Sequence, residues 1–507
     1  MAAFVTDQFR ILNADSFVES ISNNSYYAFL GLPNPTATGF GRTDNWNTSS
    51  ANNPVDNFQY LSHYRDTSLF GKKISANNAR RVVRKVEWIS GNPYDMYRHD
   101  YRQGNSSPVS KTVRLYDANY YVITSEFKVY ICIDNGSSGL NPTVAASTLE
   151  PNHTDVEPVK YSDGYRWKYL FKISPSDVIK FDSTEYIVIP NNWTTTTDSE
   201  IEIIRDGGNP EIEDNNNQIK KVYIENGGSG YSDQTADILG DGEGGQVSIV
   251  TTNGVITDVV VTQGGKGYTY GIIDLPNTST AAKLIPIIPP SKGHGYDIYQ
   301  ELGADKVLIY ARFDDSTKDF PIDTKFSQVG IIKNPETFSE TNVSTGITFT
   351  GSTFSSLYSI ALTESRDVEI GEEIEQIQDN NIVAKGYVAS FDKETKILKY
   401  YQDRSLCFGN KNDQTESLNT ENIAKFVNNK EISFKSSGGS NGVVDTTINN
   451  SVIVINSKQI NLGVTFTNGL ANPEINKKTG DIIYIDNRPV VQRDSRQKED
   501  VKIILEF

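Results

Sequence analysis

Residues 162–173, SDGYRWKYLFKI, limit the possible folds of this chain more than any other stretch. After an Asp163-Gly164 turn signal, Tyr165, Trp167, Tyr169, Phe171 and Ile173 occupy every second position, Arg166, Lys168 and Lys172 stand between them, and Leu170 alone breaks the pattern. A period of two puts the five apolar side chains on one face of a strand. Burying each contributes roughly 1.5–3 kcal/mol and a one-residue slip would expose all five, so the register of this strand is firmly set. It is a structural anchor, not a chemical site.

The same punctuation recurs along the chain. Short apolar runs separated by Asn, Gly and Asp, with 27 Tyr, 22 Phe, 38 Gly and 19 Pro, predict a mainly β protein with many turns and few helices. One helix is expected over Asn13 to Ser22, with Asn13 as cap and Phe17, Val18 and Ile21 as its apolar stripe. YYAFLGLP follows as an apolar strand. Phe127, Val129, Ile131 and Ile133 predict a half-buried strand, EYIVIP at 185–190 predicts another, and these two are expected to share a sheet with the anchor.

Length and charge bound the function. At 507 residues the chain is long enough for about three domains. Its net charge of −16 disfavours general binding to a phosphate backbone. The most basic run, GKKISANNARRVVRKVEW, carries Lys72, Lys73, Arg80, Arg81, Arg84 and Lys85, but valines interrupt it and no base-stacking aromatics accompany it. A solvated or partner-facing edge is the better reading. The N-terminal text has no signal-peptide pattern and no run of 18 apolar residues occurs, so neither secretion nor membrane spanning is expected. Cys132 and Cys407 match no metal or redox spacing and fit a chain that folds in a reducing cytoplasm.

The motifs that could carry chemistry are weak. Arg42 beside Trp46 reads as a packed pair in a loop. Asp95, His99 and Asp100 in YDMYRHDY lack further convergent ligands, and the four histidines (His63, His99, His153, His294) are isolated in sequence. GGSGYSD at 227–233 places its Asp one position late for a calcium repeat, and GDGEGG at 240–245 lacks the Lys-Ser/Thr of a phosphate loop. GGSNG at 438–442 fits G-x-S-x-G but leads into β-like sequence, with no histidine after it. No catalytic, cofactor or metal residues are assigned, and no paired carboxylates stand in settings that separate an acid from a base.

The order of FRILNADSFVES, FGRTDNW, VYICIDNG, DGYRWKYLFKI and EYIVIP, followed by FSQVGIIKNP, GDIIYIDNRPVV and VKIILEF, resembles the baseplate wedge protein of T-even-type contractile-tail phages. That protein is the small wedge subunit that occurs in pairs. The resemblance covers residues 1 to about 205, about 284 to 338 and about 474 to 507, with Asp163, Gly164, Tyr165, Trp167, Tyr169, Asn487, Arg488 and Pro489 as its structural signature. It implies a structural role in the virion tail baseplate, assembly in the host bacterial cytoplasm, self-pairing and contacts with other wedge proteins. It implies no enzyme activity, cofactor, nucleic acid or membrane.

The expected architecture is a discontinuous β-sandwich-like body, 1–205, 284–338 and 474–507, with two inserted β modules. The first, 206–283, repeats Val222 to Ser232 as Val259 to Thr269 at an offset of 37 residues and is expected to form two hairpins, with glycines at positive φ. The second, 339–473, is expected to be a small barrel containing no strand of the body, with Asp367, Glu369, Glu372, Glu373 and Glu375 crowding one region. A glycan- or receptor-binding tail adhesin is the alternative, carried by Tyr and Trp in β modules.

Overall fold

The computed structural model describes residues 5–32, 53–207, 217–276, 280–314, 324–340, 344–379, 382–402, 424–436, 441–493 and 497–507. The chain is mainly β, with 41% of the described residues in strands against 12% in helices. Its contacts divide it into two compact units, Met1–Val18 with Arg80–Leu308 and Ile504–Phe507, and Glu19–Ala79 with Ile309–Ile503. The stretches expected to form one body are thus distributed over both. Arg42, Trp46, Cys407 and Gly438 to Ser440 lie outside the described residues.

In the first unit the anchor is the strand Arg166–Lys172, between Lys128–Asp134 and Val159–Lys160, with Tyr121–Ile123 beyond Lys128–Asp134. Tyr130 pairs with Tyr169 and Val129 with Phe171, so Leu170 is a bulge residue. The residue that breaks the sequence alternation is therefore the extra residue of the ladder. Tyr165, Trp167, Phe171 and Ile173 are buried as expected, whereas Tyr169 is only half-buried. The opposite face is solvated only at its end: Lys172 is exposed, but Lys168 and Leu170 are fully buried. Lys128–Asp134 is likewise buried on both faces, with Tyr130 and Cys132 at 0% exposure, while Phe127, expected inside, is 43% exposed at φ 59°. EYIVIP does not join this sheet; Val188, Ile187 and Tyr186 pair with Val82, Val83 and Arg84.

The Asp163-Gly164 turn is built as expected, with Gly164 at φ 95°. One Asp163 oxygen accepts from the amides of Thr148 and Leu149 at 2.9 and 3.1 Å, tying the turn to the preceding loop. Trp167 stacks on Tyr165 (centroids 5.5 Å apart, planes 9°) and meets the edge of Tyr94 at 5.8 Å.

The N-terminal helix spans Asp7–Asn23, longer than expected, because the core face starts with Ile11 and continues through Ala14, Val18 and Ile21. Asn13 lies inside it and is not its cap.

Residues 217–288 share one core containing Ile219, Val222, Ile238, Val247, Ile256 and Tyr268. The repeat does not make two hairpins. Val255–Lys266 forms a hairpin with Glu243–Thr252, but Val222–Asn226 pairs with the distant Lys283–Pro286. What the copies share is the turn: Gly228 and Gly265 have φ of 60° and 63°, Gly230 and Gly267 have 87° and 76°, and Tyr231 and Tyr268 are both buried. Each Tyr hydroxyl accepts a backbone amide, from Ala282 at 3.0 Å and from Gly245 at 3.1 Å.

In the second unit, Tyr26–Gly31 lies between Ser68–Ile74 and Lys325–Lys333, with Thr353–Ser355 at one edge and Asp481–Gln492 at the other. The strand Thr353–Ser355 corrects the expectation that 339–473 contains no strand of the body. Phe354 is 1% exposed, meets Tyr27 edge-on at 5.2 Å, and sits where a Cβ on Gly71 would approach it to 2.1 Å. Only from Tyr358 onward do strands pair among themselves, in a six-stranded sheet that runs Ser433–Phe434, Glu373–Ile377, Val383–Asp392, Ile397–Tyr401, Tyr358–Ala361, Leu470–Ala471. Residues 442–445 bridge its two ends, pairing with Ile432 on one side and with Ala361 to Thr363 on the other, so backbone pairing runs around the module in the manner of the small barrel expected.

Asn487 is buried, and its Oδ1 accepts from Gln328 Nε2 at 3.2 Å; Thr67 Oγ1 donates to Gln328 Oε1 at 3.1 Å. Arg488, Pro489 and Val490 then bulge opposite the single residue Ser327. A proline suits an edge strand at a bulge, where no ladder amide is needed.

Two measurements test this architecture. Trp167→Ala removes a fully buried ring and is expected to cost about 3–5 kcal/mol, seen as a lowered thermal midpoint; an unchanged midpoint would contradict the packing. For the second unit, Ser355 and Glu474 are in hydrogen-bond contact at 2.9 Å, so a short Gly/Ser linker can span 357–471 at little entropic cost. That deletion is expected to keep slow hydrogen exchange in Tyr26–Gly31, whereas deleting 339–473 removes Phe354 and is expected to lose it.

Candidate functional site

The strongest concentration of chemically capable side chains is not visible in the sequence. It forms under the second face of the anchor strand, where Lys168 meets the segment 294–301. Asp297 caps the short helix Ile298–Leu302 by accepting the amides of Tyr299 and Gln300 at 3.0 and 3.2 Å, and Gly303 ends it at φ 70°. This turn aims Glu301 inward, where it is 0% exposed. Glu301 bonds to Nδ1 of buried His294 and accepts the Gly295 amide at 2.6 Å. Tyr97 meets the His294 ring edge-on at 4.8 Å. Gly295, at φ 92°, leaves room for Lys168, whose Cε would lie 3.3 Å from a Cβ there.

Lys168 Nζ donates to the Val156 carbonyl at 2.7 Å. Burial, reinforced by the neighbouring Lys220 ammonium, pushes its pKa down to about 8. An amine near pH 8 beside a His–Glu pair has the chemistry of a general base or a nucleophile. It lacks access. Two cavities in this unit, of 460 and 690 Å³, are lined by none of Lys168, His294 and Glu301.

The smaller cavity is lined by cations and anions in alternation. Arg114 pairs with Asp7 and, at 3.6 Å, with Asp117; Lys306 pairs with Asp305 at 2.7 Å and Glu506 at 3.2 Å; Arg84 reaches Asn119 at 2.7 Å. Such a lining neutralises itself and presents no single sign of charge to a ligand. The larger lies between His99, Ile288 and the Gly267-Tyr268-Thr269 turn. His99 Nδ1 accepts the Ile288 amide at 3.1 Å, and burial lowers its pKa. Asp241 is held low by the Thr269 hydroxyl and amide, and Lys266 pairs with Glu243 at 3.2 Å.

The sequence candidates are dispersed. In the basic run, Arg80 pairs with Asp177 at 3.1 Å, Arg81 pairs with Asp15 and lies 3.6 Å over the Tyr299 ring, and Lys85 pairs with Glu87 at 2.6 Å. These cations are internal ties. Asp95 accepts the amides of Val109 and Ser110 at 2.8 and 3.0 Å, and Asp100 pairs with Arg98. Asp233, in the calcium-like turn, accepts the amide and hydroxyl of Thr251. In the acidic stretch Asp367 pairs with Lys393, Glu373 with Lys385, and Glu375 with Lys435. Among the described residues no group of three or more His, Cys, Asp or Glu is placed to hold a metal ion, and no helix is long and apolar enough to cross a membrane.

The signature residues separate into two clusters, Asp163 to Tyr169 in the first unit and Asn487 to Pro489 in the second. Both are framework positions. Comparison with family models and with curated proteins returns no match.

Lys168 yields a signed pH prediction. Its folded pKa lies below the ordinary 10.5, so the unfolded chain binds the extra proton between pH 8 and 10.5 and stability rises with pH across that window. Below pH 8 the full burial penalty is present. The stability difference between Lys168→Met and the parent is therefore expected to move in the parent's favour by about 3 kcal/mol from pH 7 to pH 10.5, since each tenfold difference in proton affinity between the folded and unfolded chain is worth ~1.36 kcal/mol. Urea titration at both pH values measures it, and a pH-independent difference would refute it.

Proposed function

We propose that this chain is a structural subunit of a contractile-tail baseplate wedge of the T-even type, joining scaffold proteins to peripheral ones and taking part in the rearrangement that triggers contraction. The observation that carries the reading is the ordered resemblance over eight segments. Its physical support is where they fall: FRILNADSFVES on the helix Asp7–Asn23, VYICIDNG on Lys128–Asp134, DGYRWKYLFKI on Arg166–Lys172, FSQVGIIKNP on Lys325–Lys333 and GDIIYIDNRPVV on Asp481–Gln492. These are the elements that set register and core in both units.

Work of this kind is done through interfaces whose strengths allow two arrangements, and it needs no pocket chemistry. In this reading the chain pairs with itself and with other wedge proteins, without a cofactor, nucleic acid or membrane. Little favours the adhesin alternative: the inserted stretches contain no Trp, and Tyr231, Tyr268, Tyr387, Tyr400 and Tyr401 are buried there, while Tyr270 is 60% exposed.

Electron cryo-microscopy of the contractile tails made with this chain tests the proposal. Density for the chain is expected in the wedges around the baseplate, at two copies per wedge. Tails that contain none of it, or carry it only on fibre tips, would overturn it.

A further inference from the structure

Sheet edges are where a β protein either blocks or invites another chain. In the second unit, the long edge strand Asp481–Gln492 is blocked. Ile483 is an unpaired bulge between Ile482 and Tyr484, the excursion at Arg488, Pro489 and Val490 breaks the ladder again, and Asp486 and Arg488 add charge.

The hairpin formed by Val452–Ile455 and Lys458–Asn461 carries none of these devices on its first strand. From Ser451 to Ser457 the sequence SVIVINS has no charge and no proline. Asn456 and Ser457, at φ 49° and 64°, close a two-residue turn, and the pairing runs without a register shift. Ile453 anchors the hairpin by packing against the core of Leu462, Val464 and Phe466. On the other face Val452 is 41% and Val454 66% exposed. Among the described residues no strand pairs with the outer edge.

Hydrogen-bond parity fixes what that edge offers. With a two-residue turn Ile455 and Lys458 are a hydrogen-bonded pair, so Ile453–Ile460 is the next, which agrees with the Leu462 amide donating to Ser451 O at 2.7 Å. Val452 and Val454 therefore point their amides and carbonyls outward. Two copies of this edge, antiparallel about a two-fold axis at Ile453, set Val452 against Val454 of the second copy and Val454 against its Val452. Four backbone hydrogen bonds form, like charges are not opposed, and two hairpins become one four-stranded sheet.

The geometry points to the Val452–Ile455 edge as a self-pairing surface whose partner is the same edge of a second copy of this chain. The inference stands on this hairpin and not on the wedge reading, which leaves the pairing surface open. An edge of four residues buries less than the ~1,200 Å² of a standard interface, so the free dimer is weak and forms at high concentration. Because each copy carries −16, salt strengthens the pairing by screening repulsion, opposite to its effect on a charge-mediated contact.

Sedimentation equilibrium of the full chain in low and high salt tests this. The weight-average mass is expected to rise from 56.3 kDa toward twice that value with concentration, and more so in high salt. Val454→Lys, at a side chain already exposed, and Val454→Pro, which removes an outward amide, are each expected to weaken association by ~10-fold or more with an unchanged thermal midpoint. Val250→Lys, at a similarly exposed valine on another sheet, is expected to associate like the parent. A parent chain that stays monomeric at every concentration and salt would overturn the inference. So would association that Val454→Lys leaves intact, an outcome that keeps self-pairing on some other surface and leaves the wedge reading standing.

Discussion

Burial of the Arg166–Lys172 strand on both faces governs the first unit. One face is aromatic and dry: Trp167 stacks on Tyr165, and both are fully buried. The other must hold Lys168, and an ammonium removed from water needs compensating groups nearby. The Val156 carbonyl, the 294–301 turn and the glycine at 295 supply them. The polar cluster is thus a consequence of where the strand lies. It resembles an active site because the same physics, burial next to charge, perturbs both.

Legibility in the sequence depends on whether the signal is local. The Asp163-Gly164 turn, the register of Tyr165 and Trp167, and the positive-φ glycines of the repeat are set by neighbours in sequence, and each stands in the structure as the sequence implies. Period two puts Lys168 on the face opposite Trp167 but does not say what covers that face, and the cover arrives from residue 294, far along the chain. The shared sheet expected for EYIVIP fails for the same reason, since strand partners are chosen by long-range packing. The His294–Glu301 pair has only faint local traces, the Asp297 cap and the Gly303 stop, which mark a short helix but not where Glu301 points.

The second unit shows how a polar core residue can set register. Gln328 bridges Thr67 and Asn487, tying Lys325–Lys333 to its neighbours through side chains as well as the ladder. A slip would leave these amides buried without partners, at roughly 1–3 kcal/mol for each group. The bulge at Pro489 begins just beyond Asn487, so the edge is disrupted only after its register is fixed. Asn487, Arg488 and Pro489 thus lock and block the edge at adjacent positions.

Most of the charge at the candidate sites is spent internally: the basic run on Asp15, Asp177 and Glu87, the acidic stretch on Lys385, Lys393 and Lys435. The exposed ones among them, such as Lys393 with Asp367, contribute little stability each but prevent a uniform patch of one sign. A surface organised this way gives small charged ligands no obvious focus and leaves specificity to shape, apolar contact and backbone pairing at edges. In the second unit those edges differ in kind. The long one ends in bulges and a proline, while a short hairpin far along the chain keeps two exposed valines and an open backbone, and that segment is too short to drive indiscriminate aggregation.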